Sequence, residues 1–182
     1  MNRAERRLPG NPSVETSVAR MLRVDHAGEY GAARIYAGQL AVLRRSDKAP
    51  VLREMQDQER QHLDRFADLI IRHRVRPTAM LPLWHLAGFA LGAATALLGE
   101  RAAMACTVAV EDAIDAHYSA QIAALDDSEG ELRDTLGRFR DEELQHRDIA
   151  LRHGAEQAPG YRLLSTVIKA GCKAAIRISE RI

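Results

Sequence analysis

Two short stretches decide the fold: Asp57-Gln58-Glu59-Arg60-Gln61-His62-Leu63 and Phe139-Arg140-Asp141-Glu142-Glu143-Leu144-Gln145-His146. Each holds Glu-x-x-His, and residues three apart project from one face of a helix. Each lies on an apolar stripe of helical period: Leu52, Met55, Glu59, His62, Phe66, Leu69 in one, and Leu132, Leu136, Phe139, Glu143, His146, Ala150 in the other. Carboxylates and imidazoles thus stand where a helix presents its core face. Burying such groups without partners is costly, so they need a reason.

A lone Glu-x-x-His is more often a surface pair. With 13 Glu and 7 His in 182 residues, about half a match is expected by chance. Two copies on two apolar stripes are less ordinary, and the preceding helices sharpen the case. Glu29 sits alone on the stripe Val18, Leu22, Asp25, Glu29, Ala32, Tyr36, Gln39, Leu43, and Glu111 on Met104, Val108, Glu111, Asp115, Tyr118, Ile122. In an antiparallel hairpin, facing residues lie equally far from the turn. The midpoint of Glu29 and His62 falls at Arg45–Ser46, inside the breaker Ser46-Asp47-Lys48-Ala49-Pro50. The midpoint of Glu111 and His146 falls at Ser128–Glu129, inside Asp126-Asp127-Ser128-Glu129-Gly130. The chain therefore reads as helix with Glu, turn, helix with Glu-x-x-His, twice over.

One Glu from each of two helices and Glu-x-x-His from each of two others is the ligand set of ferritin-like di-metal carboxylate bundles. The expected fold is all-α: a ferritin-like four-helix bundle, an apolar crossover helix and an additional C-terminal helix, in a single domain over 1–182, with 1–12 a disordered tail. Six helices are read, at about 13–45, 51–74, 83–98, 100–125, 131–153 and 161 to the end. Expected metal ligands are Glu29, Glu59, His62, Glu111, Glu143 and His146. Glu59 and Glu143 would bridge, Glu29 and Glu111 be terminal, and one histidine serve each ion. Carboxylate-rich sites with one imidazole per metal and no thiolate suit iron or manganese; iron is favoured, as two ions per chain. Asp25 and Asp115, one turn from Glu29 and Glu111, are candidates to accept the ligand histidines' other N–H, and Tyr118 to line a substrate cavity. His26, His73, His85 and His153 read as ordinary histidines. Cys106 and Cys172, in apolar stretches, read as reduced, buried thiols.

The remaining composition bounds the partners. A net charge of +1 offers no field for nucleic acid. Residues 79–99 are almost wholly apolar, with His85 and Thr95 the exceptions. That run is close to bilayer-spanning length, but Pro82, Gly88, Gly92 and Gly99 argue against a plain span. It reads as a helix in the membrane interface or capping an apolar channel, or else as a buried crossover helix. Gly88-x-x-x-Gly92 would permit close helix approach. Arg72, Arg74 and Arg76 precede it, and Lys169, Lys173, Arg177 and Arg181 form a ridge on the last helix that would suit anionic headgroups.

The stretches Leu22-Arg23-Val24-Asp25-His26-Ala27-Gly28-Glu29-Tyr30-Gly31-Ala32, Leu81-Pro82-Leu83-Trp84, Ala103-Met104-Ala105-Cys106-Thr107-Val108-Ala109-Val110-Glu111 and His117-Tyr118, with the two quoted first, resemble the demethoxyubiquinone hydroxylases. The resemblance covers roughly residues 20–182 and extends well beyond the ligands. It implies a di-iron monooxygenase that uses O2 and reducing equivalents from NADH to hydroxylate the ring of a polyprenylated quinone precursor in ubiquinone biosynthesis. It implies His117 and Tyr118 as supporting residues. It also implies a peripheral protein on the cytoplasmic face of a bacterial cell membrane, working as a homo-oligomer or with accessory proteins of that pathway. No Gly-x-Gly-x-x-Gly dinucleotide signature accompanies it. The competing expectation is a ferritin- or rubrerythrin-like protein handling iron or peroxide.

Overall fold

A computed structural model describes residues 14–182; the tail expected at 1–12 lies outside the described residues. Six α-helices make up the fold: α1 (Val14–Leu43), α2 (Ala49–Arg72), α3 (Leu81–Leu97), α4 (Glu100–Ala124), α5 (Gly130–Arg152) and α6 (Tyr161–Ser179). No strand occurs among the described residues. The helices start and stop within two residues of the expected positions, apart from α6, which ends at Ser179. The first breaker acts as read. Lys48 precedes α2, Pro50 occupies its first turn, where its missing N–H costs nothing, and Ser46 Oγ accepts the Lys48 N–H at 3.0 Å.

The α1–α2 and α4–α5 hairpins pack together with α1 antiparallel to α4, as the pairs Tyr36–Glu111 and Tyr118–Glu29 require. The α3 helix is the crossover. It lies along α1, and glycines set the distance between them. A Cβ on Gly92 would fall 1.9 Å from the Ile35 carbonyl oxygen, one on Gly88 2.8 Å from the Gly31 oxygen, and one on Gly38 2.1 Å from the Phe89 oxygen. The close approach expected of Gly88 and Gly92 is thus present, and α1 supplies Gly31 and Gly38 on its own side of the contact. Gly99 then turns the chain into α4 with φ 114°, a conformation open to glycine at little cost.

The α4 helix touches α1, α3, α5 and α6. Its segment 102–110 is consequently buried on every side, which explains why it is built from Ala, Cys, Thr, Val and Met. Three apolar clusters form the core, the smallest being Ile35, Cys106, Ala109, Val110 and Ile168 where α6 meets α1 and α4, and the other two lie within the four-helix bundle. One contains Leu22, Phe66, Leu69, Leu136 and Phe139, the other Leu52, Met55, Met104, Val108 and Ala150. Cys106 and Cys172 are free, and burial pushes their thiols up to about 12 and about 11, which keeps them protonated and unreactive.

Of the readings left open for α3, full burial as a crossover helix does not hold. Gly88, Gly92, Thr95 and Ala96 are buried against the bundle, while Leu83, Leu86, Phe89 and Leu97 are exposed on the far side. No described helix is long and apolar enough to cross a membrane.

Candidate metal centre

The four bundle helices each bring their polar interruption to the same depth. Glu29 from α1, Glu59 and His62 from α2, Glu111 from α4, and Glu143 and His146 from α5 are all at most 1% exposed. They form two overlapping groups. Ligand atoms of Glu29, Glu59, His62 and Glu143 lie within 4.8 Å of one another, and so do those of Glu59, Glu111, Glu143 and His146. Glu59 and Glu143 belong to both groups.

Both imidazoles turn Nδ1 inward. His62 Nδ1 is 2.9 Å from Glu143 Oε1 and 3.4 Å from Glu29 Oε2, and His146 Nδ1 is 3.1 Å from Glu143 Oε2 and 3.2 Å from Glu59 Oε1. Each Nε2 points away from the cluster, onto an oxygen: Glu142 Oε2 for His62 and Gln58 Oε1 for His146, both at 2.5 Å. An Nε2–H donated to those acceptors leaves the Nδ1 lone pair of a neutral ring facing the carboxylates. Phe139 stacks on His62 at 3.9 Å between ring centroids, fixing the ring plane. Two tyrosines complete the arrangement: Tyr36 OH donates to Glu111 Oε1 at 2.8 Å, and Tyr118 OH donates to Glu29. Burial first, then the neighbouring carboxylates, push both phenols well above their ordinary range, so they remain donors.

The electrostatics show a pocket short of cations. Glu29 Oε2, both oxygens of Glu59 and Glu111 Oε2 have no hydrogen-bond partner. Burial, with Glu143 as an added repulsion, raises Glu29, Glu59 and Glu111 above the ordinary carboxylate range. Burial also opposes ionisation of Glu143 and the two imidazoles. Hydrogen bonds between them win, taking Glu143 down to about 2, His62 up to about 12, and raising His146. Metal ligands must be deprotonated, so divalent cations bound here would displace the protons that these shifts favour. Unpartnered carboxylate oxygens converging with two inward imidazole nitrogens, and no thiol among them, are a donor set that fits two oxygen-preferring transition-metal ions.

Two expectations need correction. Asp25 does not meet a ligand histidine: it accepts from Gln121 Nε2 at 2.8 Å and pairs with His117 Nε2 at 3.2 Å. Asp115 is only partly buried and binds Arg140 Nε at 2.6 Å. Both stand one turn along α1 or α4, whereas the outward imidazole nitrogens point between α2 and α5. Tyr118 OH donates to Glu29, and its ring stacks beside Phe66. His117, through its pairing with Asp25, stands one turn from Glu29 and lines a 230 Å³ surface pocket with Arg20, Gln121 and Glu180. Tyr36, Gln58 and Glu142 were not singled out from the sequence. A signal existed: each tyrosine lies two turns after the lone Glu of its helix, and Gln58 and Glu142 each immediately precede the Glu of a Glu-x-x-His.

Beside the centre lies an apolar cavity of about 440 Å³, bounded by α1, α3, α4 and α6. Gly28 and Val110, the neighbours of Glu29 and Glu111, form part of its wall, with Trp84, Leu91 and Ile176 further out. Trp84 Nε1 donates to Ser179 Oγ at 3.0 Å across the space between α3 and α6.

Comparison with known proteins agrees with this site. A protein-family model described as Ubiquinone biosynthesis protein COQ7 matches residues 16–179. The 3-demethoxyubiquinol 3-hydroxylase of Rhodospirillum rubrum is 59% identical over 180 residues, covering 98% of this chain and 85% of that protein. The mitochondrial NADPH-dependent 3-demethoxyubiquinone 3-hydroxylase of Bos taurus is 56% identical over 170 residues, covering 91% and 78%. The mitochondrial 5-demethoxyubiquinone hydroxylase of Saccharomyces cerevisiae is 43% identical over 180 residues, covering 90% and 77%. With the family model spanning nearly the whole chain and a buried carboxylate–imidazole centre at the core of the bundle, this chain belongs to the COQ7 family of ubiquinone biosynthesis proteins.

Proposed function

We propose that this protein is a di-iron monooxygenase that hydroxylates the ring of a demethoxyubiquinone intermediate with O2. The observation that carries the proposal is the placement of the apolar cavity against the backbone flanking Glu29 and Glu111. An apolar ring held there would lie beside the six-residue cluster. Glu29, Glu59, His62 and Glu143 would hold one ion and Glu59, Glu111, Glu143 and His146 the other, with Glu59 and Glu143 common to both groups. Bound iron supplies the activation of oxygen. The chain does the rest: apolar walls exclude water and orient the ring, Tyr36 and Tyr118 fix Glu111 and Glu29, and Phe139 fixes His62. Reducing equivalents come from a reduced nicotinamide. NADH is the donor the sequence resemblance implies, while the Bos taurus relative is named NADPH-dependent; parallel assays with the two decide between them.

The protein works peripherally, at the cytoplasmic face of the cell membrane. Leu83, Leu86 and Leu97 on α3, Leu98 just after it, and Leu163 and Val167 on α6 are 48–75% exposed, a face suited to the interface where a polyprenyl tail resides. The basic ridge supports this in part. Lys169 is tied to Asp112 at 2.7 Å, while Lys173, Arg177 and Arg181 are exposed.

The test is mass analysis of the quinone after the iron-loaded protein meets a demethoxyubiquinone, a reduced nicotinamide and labelled O2. Gain of one labelled oxygen on the ring is the expected result. Oxygen consumption without that gain would favour iron or peroxide handling of the ferritin or rubrerythrin kind.

A further inference from the structure

The two halves of the bundle repeat each other around the centre, and three of their departures fall at one end of it. Tyr36 and Tyr118 are counterparts, each two turns beyond the lone Glu of its helix and each bonded to the other helix's Glu. Gln58 and Glu142 are counterparts too, and they cross in the same way. The residue before Glu143 accepts from the histidine of α2, and the residue before Glu59 accepts from the histidine of α5. One of these acceptors is a carboxylate and the other a neutral amide oxygen. The asymmetry extends along α1 and α4. Asp25, one turn before Glu29, is buried, whereas its counterpart one turn before Glu111 is Thr107, and the counterpart of His117, which pairs with Asp25, is Ile35. Glu142, Asp25 and His117 all stand at the end defined by Glu29 and His62.

We infer that the two metal positions are unequal by construction, and that Glu142, acting through His62, makes the Glu29–His62 position the tighter one and the first to fill. This rests on the di-metal reading above. A hydrogen bond from an imidazole N–H to a carboxylate is charge-assisted and roughly twice as strong as one to a neutral oxygen. It makes the opposite nitrogen a better donor to a cation, and loss of such an outer partner costs about 10- to 100-fold in metal affinity. His146, held by the Gln58 amide, lacks that reinforcement. Glu142 is thus a positioning residue: it touches neither ion nor substrate and acts on one of the two ions through His62.

The test is stepwise Co2+ titration of the full metal-stripped chain, followed by visible absorption and by calorimetry. Wild type should take up two ions in two separated steps. Glu142→Gln should weaken the first step by about 10- to 100-fold and draw the two together, with helical content unchanged by circular dichroism. Gln58→Glu should strengthen the second step and close the gap from the other side. His146→Ala should keep the tight step, and His62→Ala should lose it. Glu142→Gln and Gln58→Glu steps superimposable on wild type would overturn the inference, and so would a tight step that survives His62→Ala. Should Glu142→Gln not fold, Gln58→Glu and the two histidine variants still decide. Wild-type protein that binds no Co2+ would overturn the di-metal reading itself, and this inference with it.

Discussion

At the scale of single residues, the centre crowds four buried carboxylates against two imidazoles. Glu29, Glu59 and Glu111 sit above the ordinary 4.5 because of burial and mutual repulsion, and His62 and His146 sit above 6.5 because the carboxylates beside them outweigh burial. The folded metal-free chain therefore binds more protons than the unfolded chain from pH 4.5 upward, and these groups lose stabilising effect as pH rises. Glu143, held down to about 2, has the opposite sign: its contribution stands at neutral pH and is lost as pH falls from 4.5 through about 2. Metal ions require deprotonated ligands and displace those protons. The melting temperature of metal-free protein should accordingly fall as pH is raised from about 5 to 9, and that of loaded protein should change much less; calorimetry showing equal slopes would contradict the proton inventory. Glu143→Ala or His146→Ala should lower hydroxylation by more than about 100-fold while far-ultraviolet circular dichroism stays helical. Full turnover in either variant would remove that residue from the site.

At the scale of elements, the deciding contact is α1 against α3. With α3 seated on Gly31, Ile35 and Gly38 of α1, one wall of the apolar cavity is fixed relative to Glu29. A methyl group on Gly92 has no room, since it would meet the Ile35 backbone rather than a movable side chain. Gly92→Ala should cost about 1–3 kcal/mol, the usual range for forcing extra volume into a packed contact, measured as a lowered urea midpoint. An unchanged midpoint would mean that α3 lifts freely from α1. Gly88-x-x-x-Gly92 was legible because its small residues recur one turn apart. The matching glycines of α1, Gly31 and Gly38, lie seven residues apart on the face opposite its carboxylate stripe, a spacing that carries no small-residue motif of its own.

At the scale of the whole molecule, the apolar outer faces of α3 and α6 flank the cavity between them. A tail anchored in lipid would reach the centre without crossing water. Flotation with vesicles containing anionic lipid should carry the protein up, and the double change Leu86→Glu, Leu97→Glu should abolish this. Lys173→Glu with Arg177→Glu should weaken binding to anionic vesicles by about 1 kcal/mol per basic residue lost, and leave binding to neutral vesicles nearly unaltered. Equal flotation of all variants would assign these faces to a protein partner instead.

The sequence by itself determined the helix count, the hairpin pairing and the six residues that meet at the centre. Those depend on periodicity along one helix and on distance from a turn, and both are written locally. Tertiary structure alone decided what surrounds them. That His62 rests on Glu142 and His146 on Gln58, that Tyr36 reaches Glu111, that Asp25 turns to His117, and that Lys169 folds back onto Asp112 all follow from the rotation and offset of helices brought together across the bundle. Spacing within a chain fixes which residues share a face; only packing fixes what that face meets.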